Sequence, residues 1–217
     1  MTETGYTMTK KYFITIEGVE GAGKSTVIKI LEKYLQEKNI PLTMTREPGG
    51  TEIAEAIRRV LLDFQYEEKM TKDTELLLMF ASRAQHIAQI IKPALAKNHV
   101  VLCDRFTDAS FAYQGAGRGI SEERIESLAK WVQGDFWPDL TILLDLPIEV
   151  GFERIKERGA KDRIEEEIKD FFRRVRQSYL DRAAKYPNRF VVVDASQPLE
   201  KVEKQLIKIL TEKYFNQ

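Results

Sequence analysis

The stretch Gly18 to Ser25, GVEGAGKS, matches the pattern G-x-x-x-x-G-K-[ST] in full. By average residue usage such a match arises by chance in roughly 1% of chains this long, so it counts as a signal. Its chemistry is phosphate binding. Successive backbone N–H groups of Gly18, Val19, Glu20, Gly21, Ala22 and Gly23 can turn inward around an oxyanion, and the helix opened by Lys24, Ser25 and Thr26 adds its positive end. Lys24 is the residue type that reaches β- and γ-phosphates, and a hydroxyl such as Ser25 helps hold Mg²⁺. ATP or GTP is the expected ligand.

A carboxylate that orients the magnesium commonly ends a neighbouring strand. Asp104 and Asp145 both follow apolar runs, VVLC and TILL. Asp104 alone is followed at once by arginine, with a polar loop expected behind it, and is the candidate. Asp145 reads as structural or secondary. Arg46 in TREPGG, Arg83 in FASRAQ and Arg105 after Asp104 are spread along the chain. Singly, arginines are usually surface charges. Gathered at strand ends they could line an anion-accepting cleft, where the planar guanidinium binds phosphate in paired hydrogen bonds. No N-K-x-D guanine signature is present, which argues against a GTPase switch.

These residues need a scaffold that brings strand ends together. KYFITIEG, IPLTMTRE, HVVLCD, LTILLD and RFVVVDA are strand candidates, and segments with apolar residues at i, i+3 and i+4 alternate with them. Pro93 should kink or divide the long helical stretch from Asp73 to Asn98. The alternation predicts one α/β domain with a five-stranded parallel sheet covered on both faces. The charged stretch ERIKERGAKDRIEEEIKD is either a solvated helix surface or a mobile lid, with its glycine favouring a break.

The chain has 217 residues, enough for one domain with a real core, and 43% apolar residues, as in globular proteins. Its 34 basic and 34 acidic residues balance, which argues against a nucleic-acid partner. The single cysteine, Cys103, lies in an apolar run and reads as a small buried hydrophobe in a reducing compartment. His86 and His99 lack partners at metal-ligand spacing, so no zinc site is expected. No run approaches the roughly 18 apolar residues of a membrane span, and residues 1–11 look like a polar tail rather than a signal peptide. A cytoplasmic protein is expected.

EGVEGAGKST, TREPGGT, FASRAQH, DRFTDASFAYQGAGRG and RGAKDRIE, taken together, resemble the successive motifs of the bacterial-type thymidylate kinase family. The resemblance runs from Tyr12 to the C-terminus, and TREPGGT with DR…S…AYQG is far more specific than the phosphate loop. It implies the three-layer P-loop fold of a nucleoside monophosphate kinase, one domain over residues 12–217 with a lid at about 154–166, and a homodimer. The implied reaction is ATP and dTMP to ADP and dTDP with Mg²⁺, feeding dTTP synthesis.

By the same resemblance Glu20 accepts a hydrogen bond from the sugar 3′-OH, while Arg46 and Arg105 bind the dTMP phosphate. Arg83 meets thymine O4, Ser110 and Gln114 lie near the base edge, and Tyr113 crowds C2′ to exclude a ribose. Arg158 of the lid, with Arg154 and Arg163 as helpers, supplies the phosphate-contacting arginine that eukaryotic-type relatives carry where this chain has Gly21. One departure concerns the base-stacking phenylalanine, which many relatives place four residues before the arginine. Here Met79 holds that place and Phe80 stands three before; Phe80 is taken as the stacking residue. Without the resemblance, a P-loop kinase for another nucleotide or nucleoside, or an ATP-hydrolysing binding protein, stays open.

Overall fold

The computed structural model describes residues 12–62, 68–156 and 165–215. The polar tail, Arg158, Arg163 and most of the expected lid lie outside the described residues.

The chain opens with β1 (Tyr12–Glu17), whose side chains alternate between two buried faces. Tyr12, Ile14 and Ile16 join one core cluster, and Phe13 joins another with Val101, Cys103 and Phe106. After the glycine-rich loop, α1 (Lys24–Glu37) buries Val27, Leu31 and Leu35 at four-residue spacing. Leu31 and Leu35 are fully enclosed, and burial of such side chains contributes about 1.5–3 kcal/mol each. The helix ends where Asn39 turns left-handed and Ile40 N–H returns to the Leu35 carbonyl at 3.0 Å.

β2 (Leu42–Arg46) is a partly exposed edge strand. It is followed by α2 (Glu52–Leu62) and α3 (Lys72–His86), the latter capped by Thr71, whose hydroxyl accepts from Thr74 N–H at 3.2 Å. The helical stretch that Pro93 was expected to kink or divide runs on without a break, with Pro93 in the first turn of its last segment. A wide π turn over Ile87–Ile91, with Lys92 N–H bonded to the Ile87 carbonyl, precedes α4 (Lys92–Ala96). The widened turn accommodates the donor that proline lacks.

β3 (Val100–Asp104) leads into a segment expected to be a polar loop, and the structure corrects that expectation. α5 (Thr107–Ser110) continues as a π-helical segment, Phe111–Gly117, and all four residues of α5 are buried. The sequence looked like a loop because Thr107, Asp108 and Ser110 are polar. They tolerate burial because each finds a partner: Gln133, the Arg182–Arg189 pair and Arg83 respectively.

The remaining elements are α6 (Glu122–Gln133), β4 (Leu140–Asp145), α7 (Ile148–Lys156), α8 (Glu165–Lys185), β5 (Phe190–Asp194) and α9 (Leu199–Leu210), which runs into a π turn over Thr211–Phe215. All sheet pairings are parallel, in the order β2-β3-β1-β4-β5. The chain leaves β1 toward β2 and leaves β3 toward β4, in opposite directions. A crevice therefore opens between the carboxyl ends of β1 and β3, the position at which open α/β sheets bind ligands. Among the described residues no helix is long and apolar enough to cross a membrane.

Candidate active site

The two strands beside the crevice end in Glu17 and Asp104, and the register of β2 on β3 sets Arg46 beside Asp104. From β1 the chain enters the phosphate loop. Gly23 caps α1 in a left-handed conformation with no side-chain cap; Thr26 N–H bonds to the Gly23 carbonyl at 3.0 Å, while the N–H groups of Lys24 and Ser25, with no backbone partner among the described residues, stay open to an anion. Lys24 Nζ donates to the carbonyls of Gly18 and Val19 at 3.0 and 3.1 Å. Burial, then the nearby Arg105 charge, bring the Lys24 ammonium down to about 8, against the pull of Glu20, Asp104 and Glu17.

Gly21 has a packing requirement as well as a positive φ of 78°. A Cβ there would lie 2.3 Å from the Gly151 carbonyl oxygen of α7. In the space where eukaryotic-type relatives are expected to carry an arginine, this chain seats the backbone of another helix.

Across the crevice, Arg105 stands at φ 68°, its N–H bonded to the Ile16 carbonyl at 3.0 Å. Its Nη2 donates to Glu20 Oε1 at 2.9 Å and to the Tyr113 hydroxyl at 2.7 Å, and Tyr113 donates to Glu20 Oε2 at 2.6 Å. Three side chains from three elements thus close a ring. Burial pushes the Glu20 carboxyl up, but Arg105, Tyr113 and Lys24 outweigh it and hold the group below its usual range. Burial likewise works against the charge on Arg105, and Tyr113 and Glu20 overcome it.

A cleft of about 240 Å³ adjoins this ring, with Glu20, Arg105, Tyr113, Gln114, Glu75 and Met79 in its wall. A larger surface depression, about 470 Å³, lies between α8 and the π-helical segment with the start of α6, and includes none of the phosphate-loop residues. Behind the cleft Arg83 is completely buried. Its Nε donates to Glu47 Oε2 at 2.7 Å and its Nη2 to Ser110 Oγ at 3.0 Å and the Phe106 carbonyl at 3.3 Å. Arg83 Nη1 and Gln114 Oε1 are buried without a hydrogen-bond partner among the described residues, and so is Asp104 Oδ1.

Phe80 is not where the stacking expectation put it. It is 2% exposed and packs in a core cluster with Leu76, Phe111 and Ile125, its ring 4.6 Å from the Arg83 guanidinium. Met79, one residue earlier, lines the cleft. Three- and four-residue spacings flank the arginine's face on opposite sides, and here the three-residue side turns inward. Arg46 is half exposed and forks onto Glu55, with both oxygens 3.0 Å from Nη2. Asp145 is held by Arg176 at 2.7 and 2.9 Å, a bidentate ion pair to α8. Arg154 is partly exposed on α7.

Several residues of the site had no flag in the sequence. Glu47 bridges Arg83 and His86, whose Nδ1 lies 3.0 Å from Glu47 Oε1, so the histidine without metal partners serves as a buried bracket. Arg58 donates to the Pro48 carbonyl at 2.8 Å, and its pKa is lowered by burial and then by Arg46. Glu17 is fully buried, accepting from Phe106 N–H at 2.8 Å and the Tyr179 hydroxyl at 2.7 Å. Burial and the charge of Asp108 push its carboxyl up to about 8, against Tyr179, Arg105 and Phe106. The placement of Glu47 after β2 and Glu17 before the loop was a usable signal; Arg58 sits in a plain amphipathic helix and offered none.

A parallel sheet of this order, with GVEGAGKS leaving its central strand and Asp104 ending the next, defines a P-loop NTPase fold. The family described as thymidylate kinase matches residues 16–206. A thymidylate kinase of Pseudomonas entomophila (strain L48) is 57% identical over 198 residues, covering 91% of this chain and 94% of its own length. One from Pseudomonas syringae pv. tomato (strain ATCC BAA-871 / DC3000) is 54% identical over 200 residues, 92% of this chain and 95% of its own. The crystal structure of thymidylate kinase from Ehrlichia chaffeensis superposes with a TM-score of 0.75 at 35% identity, covering 92% of this chain and 98% of that one. The chain belongs to the thymidylate kinase family.

Proposed function

We propose that the protein transfers the γ-phosphoryl group of ATP to dTMP, giving ADP and dTDP. The observation that carries the reading at this site is a pair of buried polar atoms, Arg83 Nη1 and Gln114 Oε1, without a hydrogen-bond partner among the described residues. They form a donor and an acceptor suited to O4 and N3–H of thymine. Met79 replaces Phe80 as the apolar surface under the base, and Ser110 orients Arg83.

Glu20, held by Arg105 and Tyr113, accepts from the sugar 3′-OH, and Tyr113 leaves no room for a 2′-OH. Arg105, Arg46 and Arg58 surround the acceptor phosphate, Arg46 exchanging Glu55 for it. On the donor side the loop N–H groups and Lys24 bind the ATP phosphates. Phosphoryl transfer needs little covalent chemistry, so these residues act by positioning and by stabilising charge.

The oxygens of Ser25 and Asp104, one of the latter's unpartnered, suit a hard cation, and these residues would hold Mg²⁺ together with the nucleotide. When bound, the ion neutralises charge on the β- and γ-phosphates. Arg154, with Arg158 from the segment outside the described residues, fits the role of phosphate-contacting arginine on the ATP side. The homodimer implied by the resemblance has a candidate face in exposed Leu77 of α3 and Trp131 of α6.

Coupled ADP release with Mg-ATP tests the reading, comparing no acceptor, dTMP, dUMP, dCMP, UMP and AMP. A fast rate with dTMP, a slow one with dUMP and almost none with the others is expected. Brisk ADP release without acceptor, or with AMP, would overturn it.

A further inference from the structure

Gln114 has one amide and two ways to face it. The two orientations have nearly the same shape but present opposite chemistry to the cleft: a carbonyl acceptor or an NH₂ donor. In the structure Nε2 donates to Glu75 Oε1 at 2.8 Å, and Gln114 Oε1 is the end without a partner among the described residues. An ionised carboxylate only accepts, so Glu75 can be satisfied by the NH₂ end alone. Turning the amide would set its carbonyl against a carboxylate, losing a hydrogen bond and adding repulsion.

Glu75 is itself fixed. Its N–H bonds to the Thr71 carbonyl at 3.0 Å in the first turn of α3. Arg118, from the end of the π-helical segment, reaches Glu75 Oε2 at 3.2 Å and Oε1 at 3.4 Å, with its guanidinium 5.3 Å from the Phe171 ring centre. The carboxylate therefore joins two arms of the cleft, both of whose polar residues also line it.

We infer that Glu75, held by Arg118, is a positioning residue that locks the Gln114 amide with its carbonyl toward the cleft, and so sets the preference for a base carrying a ring N–H. The inference rests on the proposed dTMP site. Thymine presents N3–H and O4, matching Gln114 Oε1 and Arg83 Nη1. Cytosine presents a bare N3 and an amino group, and both meet the wrong partner. A free glutamine would relieve half of that mismatch by turning over; Glu75 removes the option.

The test compares dTMP with 5-methyl-dCMP, which keeps the methyl group and changes only the base edge. Wild type should favour dTMP by about 10³-fold or more in kcat/KM, as expected when buried polar groups reject an analogue. In Glu75→Gln the new side chain can accept or donate, so either orientation of Gln114 is satisfied. The preference should shrink by about tenfold or more, through both a loss with dTMP and a gain with 5-methyl-dCMP.

Equal losses with both nucleotides would mean a structural role only, and an unchanged ratio would mean no role; either overturns the inference. If thermal melting shows Glu75→Gln unfolded, Arg118→Ala carries the same comparison, with narrowing expected and an unchanged ratio overturning it. Wild type inactive with both nucleotides would sink the functional reading and this inference with it. Wild type active with dTMP isolates the inference.

Discussion

Glu17 shows how one side chain can set a pH dependence without touching a ligand. Its carboxyl has an ordinary value of 4.5 and is pushed up to about 8 in the folded protein. The folded state then holds a proton that the unfolded chain releases between those values. The stabilisation is therefore full below about pH 4.5 and is lost as pH rises to about 8. Glu17→Gln keeps the shape without the titration and should remove that loss. Relative to the variant, wild type should weaken by on the order of 2–5 kcal/mol between pH 4.5 and 8.5. Urea midpoints for both proteins across that range check it, and parallel curves would refute it.

At the scale of elements, two contacts hold the site's walls in place. Asp108 of α5 is completely buried, with Arg182 Nε of α8 at 2.6 Å and Arg189 Nη1 before β5 at 2.5 Å. Asp108→Asn keeps the volume but leaves two arginines without their counter-charge. Breaking a buried pair this way costs about 3–5 kcal/mol, a fall in Tm of roughly 6–20 °C for a chain of this size. Calorimetry reads it, and a fall under about 2 °C would contradict the claim.

The second contact is the seat of the phosphate loop on α7. Gly21→Ala drives a methyl to 2.3 Å from the Gly151 carbonyl, so loop or helix must shift. KM for ATP should rise about tenfold or more, since misplaced loop N–H groups lose their aim at the phosphates. An unchanged KM would show that the contact is spare.

For the whole molecule, the proposed acceptor cleft draws on elements far apart in sequence, since it is walled by α3, the π-helical segment and the phosphate loop. dUMP lacks only the methyl group, and kcat/KM should fall about 10–200-fold relative to dTMP; indistinguishable values would exclude a methyl pocket. Quaternary structure is tested at the same scale. Trp131 is 83% exposed on α6 and Leu77 56% on α3; for the proposed homodimer, light scattering should find wild type dimeric and Trp131→Glu monomeric. Dimer retained in the variant would move the interface elsewhere.

The phosphate loop and the five strands could be read from the sequence alone, and the arginines could be named as candidates. Each rests on local rules: a fixed motif, apolar runs that end in aspartate, and residue types that suit phosphate. It could not determine which side of α3 turns inward, so Phe80 was expected on the base where Met79 lines the cleft. Nor could it separate a polar loop from a buried helix at 107–117, because the partners that pay for burying Asp108 come from 182 and 189. The roles of Glu17, Glu47 and Glu75 likewise depend on partners from other elements: Tyr179, Arg83 and Gln114. A carboxylate's task depends on what stands within about 3 Å of it, and only the packed tertiary structure decides that.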